Sequence, residues 1–597
     1  MILQALKSYY DRKAAEPDSD IAPAGWVASC LDYIINIDLD GNYRGIECVQ
    51  EIRGKKVISK PMILPNIGKQ ALKHSNSGKD ANLLWDNTSF VLGLGPKGDL
   101  KIQSMIAVID DWFPNSNNPE IKAVKAFLSK GFTNRKHFYE LTNHKDSGEA
   151  ICSGQPKVSF RVHPSEHPVI FESPEVKELI RKRRLSGENN KDEILGVCLI
   201  TGEQHVPIEL THSVIKGVWK AQSSGATIIG FNQDSFLSYG KKQSANAPVG
   251  KDAASAYVKA LNYLLSSKQR MQVGDASTVF WSERKTRFES DFAFFFSEPP
   301  KDDPSAGTDR IRNLFDSVNT GAYQEDTGDE RFFVLGLSPN IARIAVRFWQ
   351  VGTVSEFAGR IRQHFDDLRL CKPPREPEYY SLWRLLVNIA TQDESKNIPP
   401  NIGGDFMRSI LTGAPYPASL LQAALRRIKS DTERRVTPVR AALIKAYLNR
   451  YYRKHSENKY KEITMALDVD QQSIGYQIGR LFAVLEKIQE EANPGLNSTI
   501  RERFYSSACS SPVTVFATLL RLKNHHLAKL ENRGRAVNFE RLIGEIVGRI
   551  SDFPAHLDMH EQGRFAIGYY HQRQNFFEKR EKTDQEKGER DGIEQTV

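Results

Sequence analysis

The chain has 597 residues, too many for one ordinary core, since domains usually run ~100–200 residues and about three or four are therefore expected. Apolar residues at 40%, aromatics at 10% and charged residues at 26% exclude disordered and collagenous chains. Eighty-two Lys and Arg against 73 Asp and Glu leave a formal charge of +9, which permits a polyanionic partner without requiring one.

At the start, Ile2, Leu3, Leu6 and Tyr10 fall on helical spacing, and the segment lacks the pattern of a signal peptide. No run approaches the ~18 apolar residues that span a bilayer. The six cysteines contain no C-x-x-C pair, so reduced thiols, a cytoplasmic location and no membrane attachment are expected.

DYIINIDLDGNYRGIECVQEI, from Asp32, sets two extended runs around an Asp-Gly turn and predicts a hairpin. Helices are expected over Glu120–Leu128 and Pro174–Arg184. Between Leu195 and Val351 the short apolar runs LGVCLIT, ATIIGF, VFWSE, FFVLGLS and IAVRFW alternate with helical stretches at Ala253–Leu265 and Asp309–Val318. From Val354 apolar residues recur at three- and four-residue spacing, and GYQIGRLFAVLEKIQEEA, SPVTVFATLLRLKNHHLAKL and VNFERLIGEIVGRI carry the stripes of an antiparallel bundle. The fold class is α+β: a mixed α/β N-terminal and middle region followed by an all-α C-terminal helical bundle. Five segments are expected: 1–195, 196–353, 354–464 with the basic helices, the bundle at 465–578, and a disordered tail at 579–597.

Catalytic and metal motifs are not evident. The G-K pairs lack the rest of a phosphate loop. His163 and His167 have i, i+4 spacing but stand before prolines, and His556 and His560 lack a third ligand, so both pairs are expected to be surface or structural histidines. Asp110–Asp111 and Asp366–Asp367 are expected to be solvated charges. No metal and no cofactor is expected.

Three stretches carry binding chemistry. From Lys73 to Gly95, Ser75, Asn76, Ser77, Lys79 and Asn82 surround one glycine before a strand-like SFVLGL. Such short polar side chains approach bases or phosphates closely; the alternative is a polar loop anchored by Trp85. After Lys216, the Q-S-S-G turn with Gln222, Ser223 and Ser224 and the loop holding Lys241, Lys242, Gln243 and Asn246 suit phosphate contact or a wedge into a duplex. A long connector with ordinary turn chemistry is the alternative. Between Leu421 and Lys454, ten basic residues stand against two acidic ones. Arg426, Arg427, Arg434, Arg435, Arg440, Lys445 and Arg450, with Tyr447, Tyr451 and Tyr452 nearby, form either a nucleic-acid groove or a solvated helix face. Arg343 and Arg347, four apart, are expected on one strand face with Ala345 and Trp349, in nucleic-acid contact or in structural pairing.

The ordered blocks MILQALKSYYDR, NLLWDNTSFVLGLG, CLITGE, IKGVWKAQSSGATIIGFNQDSFLSYGKKQSANAP, LSPNIARIAVRFWQVG and GRLFAVLEKIQEEANPGLNSTIRERFYSSACSSPVTVFATLL resemble the large subunit of the type I-C CRISPR Cascade. The resemblance implies a non-catalytic subunit of a crRNA-guided complex. Such a subunit recognises the protospacer-adjacent motif in double-stranded DNA, assists duplex opening and steadies the displaced strand, while guide pairing reads the rest. The implied partners are the crRNA-bound Cascade backbone and crRNA-processing subunits and a separate helicase-nuclease. A further implied partner is a small subunit made by internal translation, for which Met465 is the candidate start; the 133 residues from there to Val597 carry 18 basic and 19 acidic side chains. On this reading Ser75–Asn82 reads the motif, Gln222–Ser224 wedge the duplex, and Lys241, Lys242, Gln243 and Asn246 contact backbone. The rival readings are a nuclease with an unrecognised active site and a purely structural scaffold.

Overall fold

The computed structural model describes residues 2–594 except 17, 18, 20, 24, 54, 55, 67–80, 96, 132–150, 152, 154, 186–192, 299–308, 310, 315–328, 432 and 456–460. The chain forms two compact units, one of Met1–Lys216 with Gln222–Tyr263 and one of Gly217–Ala221 with Leu264–Val597.

The first unit opens with α1 (Ile2–Ala14), which buries Leu6, Tyr9 and Tyr10 as its spacing requires. Strands β1 (Trp26–Leu31), β2 (Tyr33–Asp38), β3 (Tyr43–Cys48) and β4 (Lys60–Pro65) follow, then β5 (Trp85–Asn87), helices α2 (Gly98–Trp112) and α3 (Pro119–Lys130), β6 (Lys157–His163) and α4 (Pro174–Leu185). The main sheet runs β3-β2-β6-β5, with β2 and β6 parallel and the other pairs antiparallel. The β2–β3 hairpin forms where the Asp-Gly turn predicts it. The Asp38 carboxylate accepts from the Asp40 and Asn42 amides at 3.1 and 2.8 Å, and Gly41 takes a positive φ of 72° against the backbone of α3, where a Cβ would collide. The core of this unit lies between the sheet and its helices, with Phe127 of α3 edge-on to Phe160 of β6 at 5.6 Å.

Helix α5 (Lys251–Ser266) carries the chain across the division after Tyr263. In the second unit, β7 (Arg270–Val273), β8 (Ala276–Ser282), β9 (Arg331–Asn340) and β10 (Arg343–Thr353) form an antiparallel meander, with α6 (Arg287–Phe296) between β8 and β9. One sheet face, with Phe280, Phe332, Val334 and Phe348, joins the core that α6 supplies with Phe288 and Phe292. A capping box at Thr353 and Glu356 starts α7 (Val354–Leu368), and among the described residues every later regular element is helical. These are α8 (Leu382–Asn388), α9 (Ile402–Thr412), α10 (Ala418–Ser430), α11 (Pro438–His455), α12 (Ile474–Ala492), α13 (Ile500–Ser510), α14 (Val513–Ala528), α15 (Arg533–Val547) and α16 (Met559–Glu594). The α+β region followed by helices is thus the observed fold.

Some local expectations fail. ATIIGF makes only an isolated bridge, Ile215 to Ala226, and no strand; LGVCLIT is extended only at Leu195–Gly196. SFVLGL is not a strand, because Thr88–Val91 form one helical turn after β5. The helix expected over Asp309–Val318 is present at 309 and 311–314, and the rest lies outside the described residues.

Candidate nucleic-acid interface

Ser75, Asn76, Ser77 and Lys79 lie outside the described residues. The C-terminal side of their loop is firmly tied down. Trp85 is buried and its indole N–H donates to the Pro65 carbonyl at 2.9 Å, while the Ser159 hydroxyl donates to the Leu84 carbonyl at 2.8 Å. Asn82, expected to face a base, is buried instead. Its amide N–H donates to Asp86 at 2.8 Å, and its side-chain oxygen has no hydrogen-bond partner. Burial of Ala81–Trp85 in the sheet's core explains this placement.

The Q-S-S-G turn is exposed. Backbone hydrogen bonds between Ile215 and Ala226 close the segment at its base, the Gly225 amide donates to the Gln222 carbonyl at 2.9 Å, and Gln222, Ser223 and Ser224 face solvent. Gly225 has φ 94°, and a Cβ there would press on Val214. The turn therefore has a fixed backbone and free side chains.

In the second loop, Lys241, Lys242 and Gln243 are exposed, and neither lysine has an ion-pair partner among the described residues. Asn246, expected to contact a DNA backbone, is spent inside the loop. Its oxygen accepts from the Ser238 amide at 2.9 Å, and its NH₂ donates to the Lys241 and Gln243 carbonyls at 3.1 and 2.8 Å. This clamp holds a residue that the sequence reading missed. Tyr239 is 98% exposed with a left-handed φ of 53°, a conformation uncommon for a residue with a side chain. The available signal was an aromatic residue between Ser238 and Gly240, one glycine before two lysines.

The basic helices do not form the expected groove. Helix α11 is buried on every side from Val439 to Arg450, packed among α7, α8, α10 and α16, so its cations turn to internal acceptors. Arg440 is fully buried and bonds the Asn388 and Arg435 carbonyls at 2.8 and 3.0 Å and Asp431 and Asp393 at 3.0 Å each. Arg435 reaches the Lys429 and Glu502 carbonyls, Lys445 the Asp367 carbonyl, and Arg450 those of Ala414 and Ser409. Arg440, Arg435 and Lys445 are thereby spent inside the fold, and three of the five N–H groups of Arg450 are used in the same way. Arg427 is half-buried beside Asp393 and Asp431, and only Arg426 and Arg434 of the seven remain exposed. Tyr447, Tyr451 and Tyr452 pack around His560 rather than lining a groove.

Burial pushes the Lys445 ammonium down to about 8, with Asp367 and Glu462 offsetting part of the effect. Since the folded value lies below the ordinary 10.5, the unfolded chain binds more protons between those values, and stability rises with pH across the window. Lys445→Met is expected to reduce that rise; Lys372, also lowered to about 8, supplies a remainder. Urea melts at about pH 7.5 and pH 10 measure the difference, and an undiminished rise contradicts the placement.

The remaining candidates also have structural roles. A bulge shifts the β9–β10 register at Gly336/Leu337, so Arg343 and Ala345 do not share a face with Trp349, and Arg347 pairs with Asp275 at 2.9 Å. His163 meets Asn36, and His556 meets Ser511. Among the described residues no group of three or more His, Cys, Asp or Glu could hold a metal ion, and no helix is long and apolar enough to cross a membrane. Met465 is half-exposed in the connection before α12, where its carbonyl accepts from the Cys371 amide at 2.8 Å.

No curated protein matches the chain. A family model described as CRISPR-associated protein (Cas_Csd1) matches residues 6–577, in agreement with the type I-C Cascade resemblance of the ordered blocks. From its first helix to the bundle, the chain belongs to the CRISPR-associated protein (Cas_Csd1) family.

Proposed function

We propose that the protein is the non-catalytic large subunit of a crRNA-guided type I-C interference complex. On this reading it recognises the flanking motif in duplex DNA, assists opening, holds the displaced strand and recruits a separate helicase-nuclease. The observation that carries the DNA-opening role is the loop of the first unit, where a clamped backbone presents Tyr239 to solvent next to two unpaired lysines. An aromatic side chain stacks on a base while the lysines take phosphates. Gln222, Ser223 and Ser224 supply a second exposed turn, and Ser75, Asn76, Ser77 and Lys79 remain the motif-reading candidates. Arg426 and Arg434 are what survives of the basic groove.

The assembled crRNA complex carrying Tyr239→Ala, Lys241→Ala and Lys242→Ala is expected to bind intact target duplex at least tenfold more weakly. It is expected to retain most of its affinity for a target with a pre-opened bubble. Equal binding to intact duplex by variant and wild type contradicts the role. An internal translation product starting at Met465 and comprising α12–α16 would supply the small subunit; mass spectrometry of the same complex finds it, or its absence rejects it.

A further inference from the structure

A second accessible part of the basic run, Arg453 and Lys454, lies at the end of α11, beside a cavity of about 310 Å3. Its walls are four cations, Arg360 of α7 and Arg450, Arg453 and Lys454 of α11, with the Gln363 amide and the glycines 359 and 413. Among the described residues no carboxylate and no aliphatic side chain lines it, a composition unlike that of ordinary apolar pockets.

Arg450 and Arg360 donate to neutral acceptors, whereas Arg453 is held by carboxylates. Arg450 is 4% exposed, and its three nitrogens donate to the Ala414 carbonyl at 2.8 Å, the Tyr416 hydroxyl at 3.2 Å and the Ser409 carbonyl at 3.1 Å. A guanidinium has five N–H groups, so two stay available. Arg360 donates to the Leu411 carbonyl at 2.8 Å. Asp367, 2% exposed, accepts from Arg453 at 3.0 Å and from Gln363 at 3.0 Å, and it stands 3.7 Å from Arg450. Two further carboxylates neighbour the cations: Glu356 at 3.8 Å from Arg360 and Glu462 at 2.8 Å from Arg453. Lys454 is exposed and has no ion-pair partner among the described residues. Cations in the last turn of a helix also offset its negative end, but that role does not require Arg360, which comes from another helix, or an open cavity between them.

We propose that this cavity binds the phosphate group of a nucleotide unit. Planar guanidinium forks match phosphate oxygens in pairs, and a lysine adds a mobile point charge. The volume lies at the lower end of small-molecule sites, enough for a phosphate with part of its nucleoside and too little for a duplex. The proposal does not depend on the flanking-motif reading and stands if that reading fails.

Titration calorimetry on the full-length chain tests it with inorganic phosphate, AMP and a short single-stranded oligonucleotide. Saturable one-site binding of phosphate or AMP is expected. It should weaken at least tenfold in Arg360→Ala/Lys454→Ala, stay unchanged in Arg541→Ala on α15, and tighten in Glu462→Gln, which removes one of the two carboxylates that compete for Arg453. Competition between the oligonucleotide and AMP identifies the source as a nucleic-acid backbone, and AMP binding without competition identifies a free nucleotide. Absence of saturable binding by any probe overturns the proposal, as does full affinity in the double variant when its melting matches that of wild type.

Discussion

Arg440→Met is expected to destabilise the second unit by about 3–5 kcal/mol, the range for removing one partner of a buried ion pair. Its guanidinium joins α11 to the end of α8, to Asp393 and to the α10–α11 connection, and no part of it meets solvent. Without it Asp431 keeps Arg427 at 3.2 Å, but the carbonyls of Asn388 and Arg435 lose a donor. Burial pushes the Asp431 carboxyl up, yet the Arg434 amide and the Arg440 side chain hold it below its ordinary value. A depressed carboxyl stabilises the fold above its unfolded pKa, and that contribution is lost as pH falls. The variant should therefore also show a shallower loss of stability in acid. Lysine should not rescue it, because one ammonium cannot span the same acceptors. Urea melts should show no comparable loss for Arg426→Ala or Arg434→Ala, both exposed; equal effects at all three positions contradict the burial of α11.

Gly479→Val has the second large expected effect, a loss of about 3 kcal/mol or more. Helices α12 and α16 approach backbone to backbone. A Cβ at Gly479 would overlap the Phe565 carbonyl, one at Gly475 the Glu561 carbonyl, and one at Gly568 the Tyr476 carbonyl. Backbone cannot move aside as a flexible side chain would, so the helices must separate and expose Phe482, Phe565 and Tyr569, whose rings pack together. Gly544→Ala on α15, where an added Cβ meets nothing within 4 Å, is the control and should be neutral or stabilising by up to ~1 kcal/mol. Thermal melts of the two variants give the comparison, and similar values contradict the close crossing.

The sequence was most legible where local chemistry determined local structure. The Asp38–Asn42 turn, α1 and the amphipathic α12 follow from spacing and side-chain capping within a few residues. It was least legible where burial decided the outcome. Ten basic residues between Arg426 and Lys454 count alike in composition, yet Arg440 and Arg450 are interior and Arg426 is at the surface. Their long stems let the charged ends reach carbonyls across several helices, which no periodicity reveals. Asn82 and Asn246 show the same gap at the candidate site: both looked like base or phosphate contacts, and both are used within the fold. Tyr239 was legible only as an oddity, since its exposure depends on the Asn246 clamp.

The central claim is that polar loops of the first unit read the flanking motif. Binding of the assembled crRNA complex to a library of target duplexes with randomised flanks tests it most directly, comparing wild type with Asn76→Ala/Ser77→Ala. The account predicts a clear motif preference in wild type that flattens in the variant, with assembly and guide pairing intact. An unchanged preference in the variant would contradict it.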